Sequence, residues 1–493
     1  MLFSSPIFLF VFLPLFLLVY FLIGRRLRNA LLLVASLFFY TWGEGKLVTI
    51  MLTSTVIDYV AGLAIERGFR GMFRWRLVRA VDASHRRRSQ TAFLVLSIVA
   101  NLALLGFFKY FNFGIDNLNG ILSFFGWQTA SLQGVWQIVL PLGISFYTFQ
   151  SMSYTIDVYR GRIRANPNFI DYAAYVTMFP QLVAGPIVRY ETVARELVTR
   201  LVSRSSFASG IQRFIIGLSK KMLIANQVAV PADAIFALPA DALTTPLAWF
   251  GVVCYALQIY FDFSGYSDMA IGLGRMLGFT FLENFNYPYI ARSIRDFWRR
   301  WHISLSTWFR DYLYIPLGGS RNGRYRTYVN LIIVFFITGL WHGASWNFVV
   351  WGLYHGFFLL LERLGFGELL ERLWRPLRHG YILLVVLISW VFFRADSLGG
   401  ALSYLRAMFG GVGDGNGLYH LGLYASSVVV LAVTAGVIGS MPIIPWLRDA
   451  VGRFRRGKQA WSYTIVVALA MLMIITVMHM ANDTYNPFIY FRF

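Results

Sequence analysis

The stretch IFLFVFLPLFLLVYFLI, residues 7–23, decides the fold class of this chain. It contains no charged residue, and about 17 apolar residues are enough to cross the hydrocarbon core of a bilayer as a helix. Arg25, Arg26 and Arg28 follow it closely. A cleaved signal peptide has its positive charges before the apolar core rather than after it. The segment therefore predicts a retained first transmembrane helix whose N-terminus lies outside the cell.

The composition extends this conclusion to the whole chain. Of 493 residues, 57% are hydrophobic and only 14% are charged, whereas about a quarter of the residues in a soluble domain are charged. A soluble globular enzyme, a disordered protein and a disulfide scaffold are thereby excluded. The single cysteine, Cys254, allows neither an intramolecular disulfide nor a cysteine metal cluster.

Further apolar runs predict an all-α, polytopic membrane protein of about eleven or twelve transmembrane helices plus re-entrant elements. We expect one membrane domain over residues 1–493, with N-terminal helices (1–165), a core that holds the catalytic motifs (166–363) and C-terminal helices (364–493). The predicted helices cover residues 7–23, 29–42, 48–65, 91–108, 135–159, 247–263, 328–340, 347–361, 381–393, 421–438 and 463–480.

Two further apolar stretches do not fit a simple crossing. The stretch 169–188 has basic clusters at both ends and is broken by Pro180 and Pro186. We expect it to enter and leave on the cytoplasmic side, because broken backbone is tolerated at membrane depth only inside protein or beside a cavity. The stretch 207–230 carries three cations and is expected to lie partly at the interface or against protein.

The chain has a net charge of +21, and the distribution of its Lys and Arg residues indicates which loops are cytoplasmic. A strongly basic protein can bind nucleic acid, but cytoplasmic loops of membrane proteins also collect Lys and Arg, which pair with anionic lipid. The loop from Arg67 to Arg88 is the most arginine-rich and is predicted to be cytoplasmic, whereas no Lys or Arg occurs between Lys109 and Arg160. Membrane lipid, and not nucleic acid, is therefore the expected partner of this charge.

The first polar segment inside an apolar run is QIYFDFSGYSD, residues 258–268. Ionisable residues within a membrane are candidates for function, which here draws attention to Asp262, Ser264, Tyr266 and Asp268. Helix capping, hydrogen bonds between helices and buried ion pairs with neighbouring arginines explain them equally well.

The second is FWRRWHISLSTWFRDYLYIPLGG, residues 297–319, which is too polar for a lipid-facing helix and too aromatic for a solvated loop. Its cations and indole rings could bind an anionic or flat group. An interfacial aromatic belt with snorkelling arginines is the alternative, although His302 and Asp311 do not fit it. The candidates for substrate binding here are Trp298, Arg299, Arg300 and Asp311.

The third is LWHGASWNFVVWGLYHG, residues 340–356, in which His342 lies between two apolar runs. A neutral imidazole can accept a proton from an attacking hydroxyl near neutral pH. At His342 and at His355, a catalytic and a purely structural histidine are equally compatible with the sequence. The chain contains no HExxH motif, glycine-rich phosphate loop or GxSxG elbow, and we expect no metal site.

Taken together, these segments resemble the membrane-bound O-acyltransferases over essentially the whole chain. The resemblance rests on FSSPIFLFVFLPLF, LPLGISFYTFQSMSYTIDVYRG, FPQLVAGPIVR, QIYFDFSGYSDMAIGLGRMLGF, ENFNYPY, FWRRWHISLSTWFRDYLYIPLGG, GLWHGASWNFVVWGLYHG and PFIYFRF. Chain length and the segments SSPIFLF and WVFFRA make it most similar to the branch that O-acetylates bacterial polysaccharides such as alginate. The branch that carries D-alanine to teichoic acids is also similar.

The resemblance implies roles for individual residues. His342 matches the family's hallmark histidine and is expected to be the general base. His302 matches a second polar position, which is His or Asn in the family, and is expected to orient the acceptor or to hydrogen-bond the developing oxyanion. The residues expected to line the substrate tunnel are Asp262, Ser264, Asp268, Trp298, Arg299, Arg300, Asp311 and Trp341.

The resemblance also implies a ring of tilted helices around a thin centre, crossed by a tunnel, in the bacterial inner membrane. An acetyl group would pass from a cytoplasmic thioester, either acetyl-CoA or an acyl carrier protein, with no tightly bound cofactor. The acceptor would be a hydroxyl of an extracytoplasmic polysaccharide, or a periplasmic or extracellular partner protein that acetylates the polysaccharide. The donor is expected to be attracted by cations at the cytoplasmic entrance, near Arg189, Lys220, Lys221, Arg299 and Arg300.

Other functions remain compatible with the sequence. They are a D-alanyl-type transfer from a carrier protein to teichoic acid, a transporter of polysaccharide or lipid-linked precursors, and a catalytically silent scaffold. A transporter would also need intramembrane Asp and Arg, but it would not need a histidine that transfers protons.

Overall fold

A computed structural model describes residues 1–68, 83–126, 138–411, 418–451 and 455–482. Within these ranges the chain consists of helices joined by turns and loops, and contains no β-strand. The predicted all-α class is confirmed. The helices group into two units, one formed by residues 1–208 with 273–282 and the other by residues 209–272 with 283–493.

The first unit contains the N-terminal helices. They are α1 (Leu13–Leu22), α2 (Arg28–Glu44), α3 (Val48–Arg67), α4 (Ala83–Phe124), α5 (Ile144–Tyr159), α6 (Phe169–Thr177) and α7 (Tyr190–Thr199). α3 packs against α4 and α5. A buried polar cluster joins α3 to α4, in which Asp58 accepts hydrogen bonds from Ser97 (2.6 Å) and Asn101 (2.8 Å).

The second unit contains the segments that carry the candidate site. Its helices are α8 (Arg204–Ser219), α9 (Asn226–Phe236), α10 (Thr245–Leu277), α11 (Ile294–Arg300), α12 (Ile303–Phe309), α13 (Gly323–His342), α14 (Trp346–Leu361), α15 (Gly367–Arg372), α16 (Arg375–Arg394), α17 (Leu398–Met408), α18 (Leu421–Tyr424), α19 (Ser427–Gly439), α20 (Ile443–Val451) and α21 (Arg455–Asn482). α8 begins in the first unit, and the last residues of α10 are grouped with it.

Glycines bring the helices of the second unit into close contact. A Cβ atom at Gly339 of α13 would overlap the Phe348 carbonyl oxygen, and one at Gly352 of α14 would overlap the Phe335 carbonyl oxygen. α13 and α14 can therefore pack backbone to backbone, because neither carries a side chain at the crossing. This packing fixes the position of the turn between the two helices.

Several helices are long and apolar enough to cross a membrane. Among the described residues, five segments have the length and apolar composition that a crossing requires. A pair of helices, Ser427–Gly439 and Ile443–Ala450, meets the same criterion when taken as one segment with a bend of 61°. The five segments are Arg25–Arg67, Arg88–Phe124, Thr245–Leu277, Arg375–Arg394 and Tyr463–Asn482. Only 17% of the apolar window of the last segment is buried, as expected of a helix that faces lipid. The count of eleven or twelve crossings stays a prediction, because the other helices are shorter or more polar.

Some predicted helix boundaries are wrong. The fourth predicted helix stops at residue 108, whereas α4 continues to Phe124, because its C-terminal half contains no proline and exposes the polar side chains of Asn112 and Asp116. The helix predicted over 247–263 likewise continues to Leu277. The segment 421–438 is broken between α18 and α19, where the Ser426 hydroxyl accepts a hydrogen bond from Val429 N (3.4 Å) and starts a new helix.

Other predictions are only partly covered by the structure. The helix predicted over 135–159 begins at Ile144, directly after Gly143 in a left-handed conformation (φ 75°), and residues 135–137 lie outside the described ranges. Most of the arginine-rich loop, residues 69–82, and the C-terminal PFIYFRF motif also lie outside them. In the stretch 169–188, α6 ends at Thr177 and turns follow, so the backbone is broken as predicted.

Candidate active site

His342 is the last residue of α13. The helix stops there because Gly343 has an extended backbone (φ −166°, ψ 156°). Ser345 caps the next helix, which begins at Trp346, because its hydroxyl accepts a hydrogen bond from Asn347 N (3.2 Å). The imidazole is therefore held at a helix end, between two closely packed helices. His342 is 4% exposed.

Aromatic rings surround His342. The ring centroids of Trp341, Trp351 and Phe393 lie 5.0, 4.9 and 5.2 Å from that of His342, and each ring meets the imidazole edge to face. Trp351 belongs to α14 and Phe393 to α16. Such an environment fixes the orientation of the imidazole and keeps bulk water away from it.

His302 lies at a break between two short helices. α11 ends at Arg300, Trp301 is extended, and His302 has a left-handed backbone (φ 44°, ψ 55°) before α12 begins at Ile303. Left-handed backbone is uncommon for residues other than glycine and is held in place only by its surroundings. His302 is 1% exposed and packs on the ring of Phe263, with centroids 4.6 Å apart.

The two histidines meet at one side chain, although 40 positions separate them in the sequence. The Trp341 ring lies 6.1 Å from the His302 ring and 5.0 Å from the His342 ring, measured between centroids. The structure therefore brings together the two positions that the sequence singled out for catalysis and places Trp341 in contact with both.

Burial also defines the charge state of His302. This residue lies outside the candidate membrane-spanning helices, and burial lowers the pKa of its imidazole to about 3. The ring is therefore neutral at physiological pH and has one nitrogen that donates a hydrogen bond and one that accepts.

The two candidate carboxylates of α10 form ion pairs. Asp262 pairs with Lys221 (2.7 Å), and both side chains are buried. Asp268 pairs with Lys220 (2.7 Å) and with Arg213 (2.6 Å). The ion pairs that the sequence left open are therefore observed, but mostly with lysines, and the same contacts are hydrogen bonds to Asp268 from Arg213 and Lys220. Lys220 and Lys221 are engaged in these pairs, so a role of either as an anchor for a donor phosphate stays a prediction.

The remaining candidates of the tunnel lining lie around the α11–α12 segment or on α10. Trp298 meets the rings of Trp351 and His355 edge to face. Arg300 pairs with Asp296 (2.9 Å), and Asp311 pairs with its neighbour Arg310 (2.7 Å). Arg299 is exposed and Ser264 is buried. Contact of any of these residues with substrate stays a prediction.

His355 is enclosed by rings. It is fully buried and packs against Phe297, Trp298, Trp351 and Tyr354. Neither ring nitrogen has a hydrogen-bond partner among the described residues. Trp351 contacts the rings of both His355 and His342. In the described part of the chain, no group of three or more His, Cys, Asp or Glu side chains could hold a metal ion.

Sequence reasoning missed three residues of the site. Trp351 and Phe393, which pack on His342, belong to hydrophobic runs and look like ordinary core residues. Asn284, which contacts His302, lies in the loop motif ENFNYPY. The signal that could have drawn attention to Asn284 is its place between Glu283 and Phe285 in the motif ENFNYPY, which is one of the motifs that carry the resemblance.

The sequence is similar to known proteins over its whole length. The model of the membrane-bound O-acyltransferase family matches residues 46–397. A protein named probable alginate O-acetylase from Pseudomonas putida is 42% identical over the full length of both chains. The peptidoglycan O-acetyltransferase of Helicobacter pylori is 34% identical, over 100% of this chain and 98% of its own. The teichoic acid D-alanyltransferase of Bacillus subtilis is 29% identical over 51% of this chain and 66% of its own. The chain therefore belongs to the membrane-bound O-acyltransferase family, and it is a membrane enzyme that transfers acyl groups to hydroxyl oxygens.

Proposed function

We propose that this enzyme moves an acetyl group from a cytoplasmic thioester to a hydroxyl on an extracytoplasmic polysaccharide, or to a partner protein that acetylates the polysaccharide. The observation that carries the proposal is the meeting of His302 and His342 at Trp341, in a buried aromatic environment. The names of the full-length relatives support acetyl as the group and a bacterial glycan as the acceptor, since they refer to alginate and to peptidoglycan.

In the proposed reaction, His342 is the general base. Its imidazole takes the proton of the acceptor hydroxyl while the hydroxyl oxygen attacks the thioester carbonyl carbon. The tetrahedral intermediate then collapses, the carbon–sulfur bond breaks, and the protonated imidazole returns the proton to the leaving thiolate. An ester and a free thiol result, so the reaction requires no metal or redox cofactor. The rings of Trp351 and Phe393 exclude water that would otherwise hydrolyse the thioester.

The donor in this proposal is acetyl-CoA or an acetylated carrier protein, bound from the cytoplasm of a bacterium whose inner membrane holds the enzyme. Both donors are anionic and would be attracted by the net charge of +21. Arg299 is one of the exposed cations of α11, so it is a candidate for a first contact with either donor.

Cellular phenotypes separate an acyltransferase from a transporter or a scaffold. In the producing bacterium, His342→Ala should abolish acetylation of the polymer while the amount of exported polymer stays normal. His420→Ala is the matched control, since His420 is exposed and lies outside the site. Loss of polymer export in His342→Ala would support a transporter, and no change in either quantity would support a scaffold; both results would refute the proposal.

A further inference from the structure

Asn284 is buried in the loop between α10 and α11 and is tied to the segment that carries His302. Its backbone carbonyl accepts a hydrogen bond from Ile303 N (3.0 Å), and Asn286 N donates to the carbonyl of Arg300 (2.9 Å). These two bonds hold the loop alongside the α11–α12 junction on both sides of His302. The Asn284 side chain is thereby fixed next to the imidazole.

The amide oxygen of Asn284 has three polar neighbours. It accepts hydrogen bonds from Ser304 N (3.2 Å) and from the Ser304 hydroxyl (2.9 Å), and it lies 3.2 Å from His302 Nδ1. On the other side, the Asn284 amide nitrogen donates to the Ser267 hydroxyl of α10 (3.1 Å). The side chain therefore joins α10 to the junction that carries His302.

This pattern determines which way the amide points. A backbone N–H can only donate, so the atom of Asn284 that faces Ser304 N must be the oxygen. The same oxygen faces His302 Nδ1, and two acceptors would repel each other at that distance. His302 Nδ1 must therefore carry a proton, and in the neutral ring the lone pair lies on Nε2.

We propose that Asn284 is a positioning residue that holds neutral His302 in the tautomer with the proton on Nδ1 and the lone pair on Nε2. The role of His302 then follows, on the basis of the proposed acyl transfer. Nε2 accepts a hydrogen bond from a donor group of the bound substrate, and it has no proton to offer to an oxyanion. Of the two roles that the resemblance implied for His302, orientation of the acceptor is the one that this tautomer permits.

The tautomer can be measured directly, without any assay of activity. The full-length protein would be labelled with ¹⁵N-histidine and studied by solid-state NMR in lipid bilayers. The chain has 7 histidines, so the His302 signals are those that disappear in His302→Asn. We expect a protonated Nδ1 and an unprotonated Nε2 in the wild-type protein. A protonated Nε2 would overturn the inference.

Two variants of Asn284 and one control test its role as the positioning residue. Asn284→Ala should lose the signal of the Nδ1-protonated tautomer, whereas Asn284→Asp keeps an acceptor oxygen and should retain it. Ser267→Ala removes only the partner of the amide nitrogen and should leave the His302 signals in place. An unchanged tautomer in Asn284→Ala would overturn the inference. Because the signals do not depend on turnover, they remain decisive even if acetyl transfer is not observed.

Discussion

At the scale of single residues, the two histidines are held by different forces. His342 is oriented by the edges of three aromatic rings, whereas His302 is oriented by the hydrogen bond to Asn284 and by a left-handed backbone. The motif around each histidine was visible in the sequence. Their common contact with Trp341 was not, because it depends on how α13 packs against the α11–α12 junction.

Substitutions at His302 should separate its role from that of a general base. His302→Asn keeps a hydrogen-bond acceptor at this position, and the variant should retain substantial acetyl transfer. His302→Ala removes the acceptor and should lose most of the activity. Rates of acetyl transfer by the purified variants, compared at equal amounts of folded protein, provide the test. An inactive His302→Asn variant beside a fully active His342→Gln variant would show that the two roles are reversed.

Asp262 should be needed for stability, because its partner Lys221 is buried. Asp262→Asn leaves the ammonium group without its counter-ion, and breaking a buried pair in this way typically costs about 3–5 kcal/mol. The double variant Asp262→Asn with Lys221→Met removes both charges and should recover much of the stability that Asp262→Asn alone loses. Thermal unfolding of the protein in detergent measures both effects. A double variant that is no more stable than Asp262→Asn would argue against the pair as the source of the loss.

At the scale of helices, apolar runs predicted most of the elements but not their ends. α4 and α10 extend well beyond the predicted residues, since a helix continues through polar residues when no proline or glycine turn stops it. The break at His302 had no sequence signal of its own, because the left-handed residue is a histidine and not a glycine. Tertiary contacts with the Asn284 loop impose that break.

Glycine at position 352 should be essential for the close packing of α13 and α14. Gly352→Ala places a methyl group against the Phe335 carbonyl oxygen, and overpacking of this kind costs about 1–3 kcal/mol. Gly380→Ala is the matched control, because Gly380 lies within α16 and nothing lies within 4 Å of its missing Cβ atom. We expect a lower melting temperature for Gly352→Ala and no decrease for Gly380→Ala. Equal melting temperatures would contradict the close contact.

At the scale of the whole molecule, composition and apolar runs predicted an all-α membrane protein, and the family match confirms it. The two units were not predicted from the sequence. Their boundaries fall inside α8 and α10, so no linker segment in the sequence marks the division. The ion pairs of α10 and the contact of Asn284 with His302 also require three-dimensional information, because each joins residues that are not neighbours in the sequence.

The predicted orientation in the membrane can be tested with engineered thiols. Cys254→Ala removes the native thiol, and a cysteine is then placed at Arg88, the last residue of the arginine-rich loop, or at Phe124, which ends α4. Both positions are exposed. A thiol reagent that does not cross the inner membrane should label Phe124→Cys in whole cells and reach Arg88→Cys only after the cells are opened. The reverse labelling pattern would show that the orientation is inverted.

Transfer of labelled acetyl groups by the purified enzyme tests the central claim most directly. The wild-type protein in lipid nanodiscs would be given a radiolabelled donor, acetyl-CoA or an acetylated carrier protein, together with a polysaccharide acceptor or with the periplasmic proteins of the producing bacterium. We predict label in the polysaccharide or in a partner protein, and about a 10²- to 10⁴-fold lower rate for His342→Ala, as expected when a general base is lost. His420→Ala should react at the wild-type rate. Equal rates for His342→Ala and the wild-type protein would contradict the account.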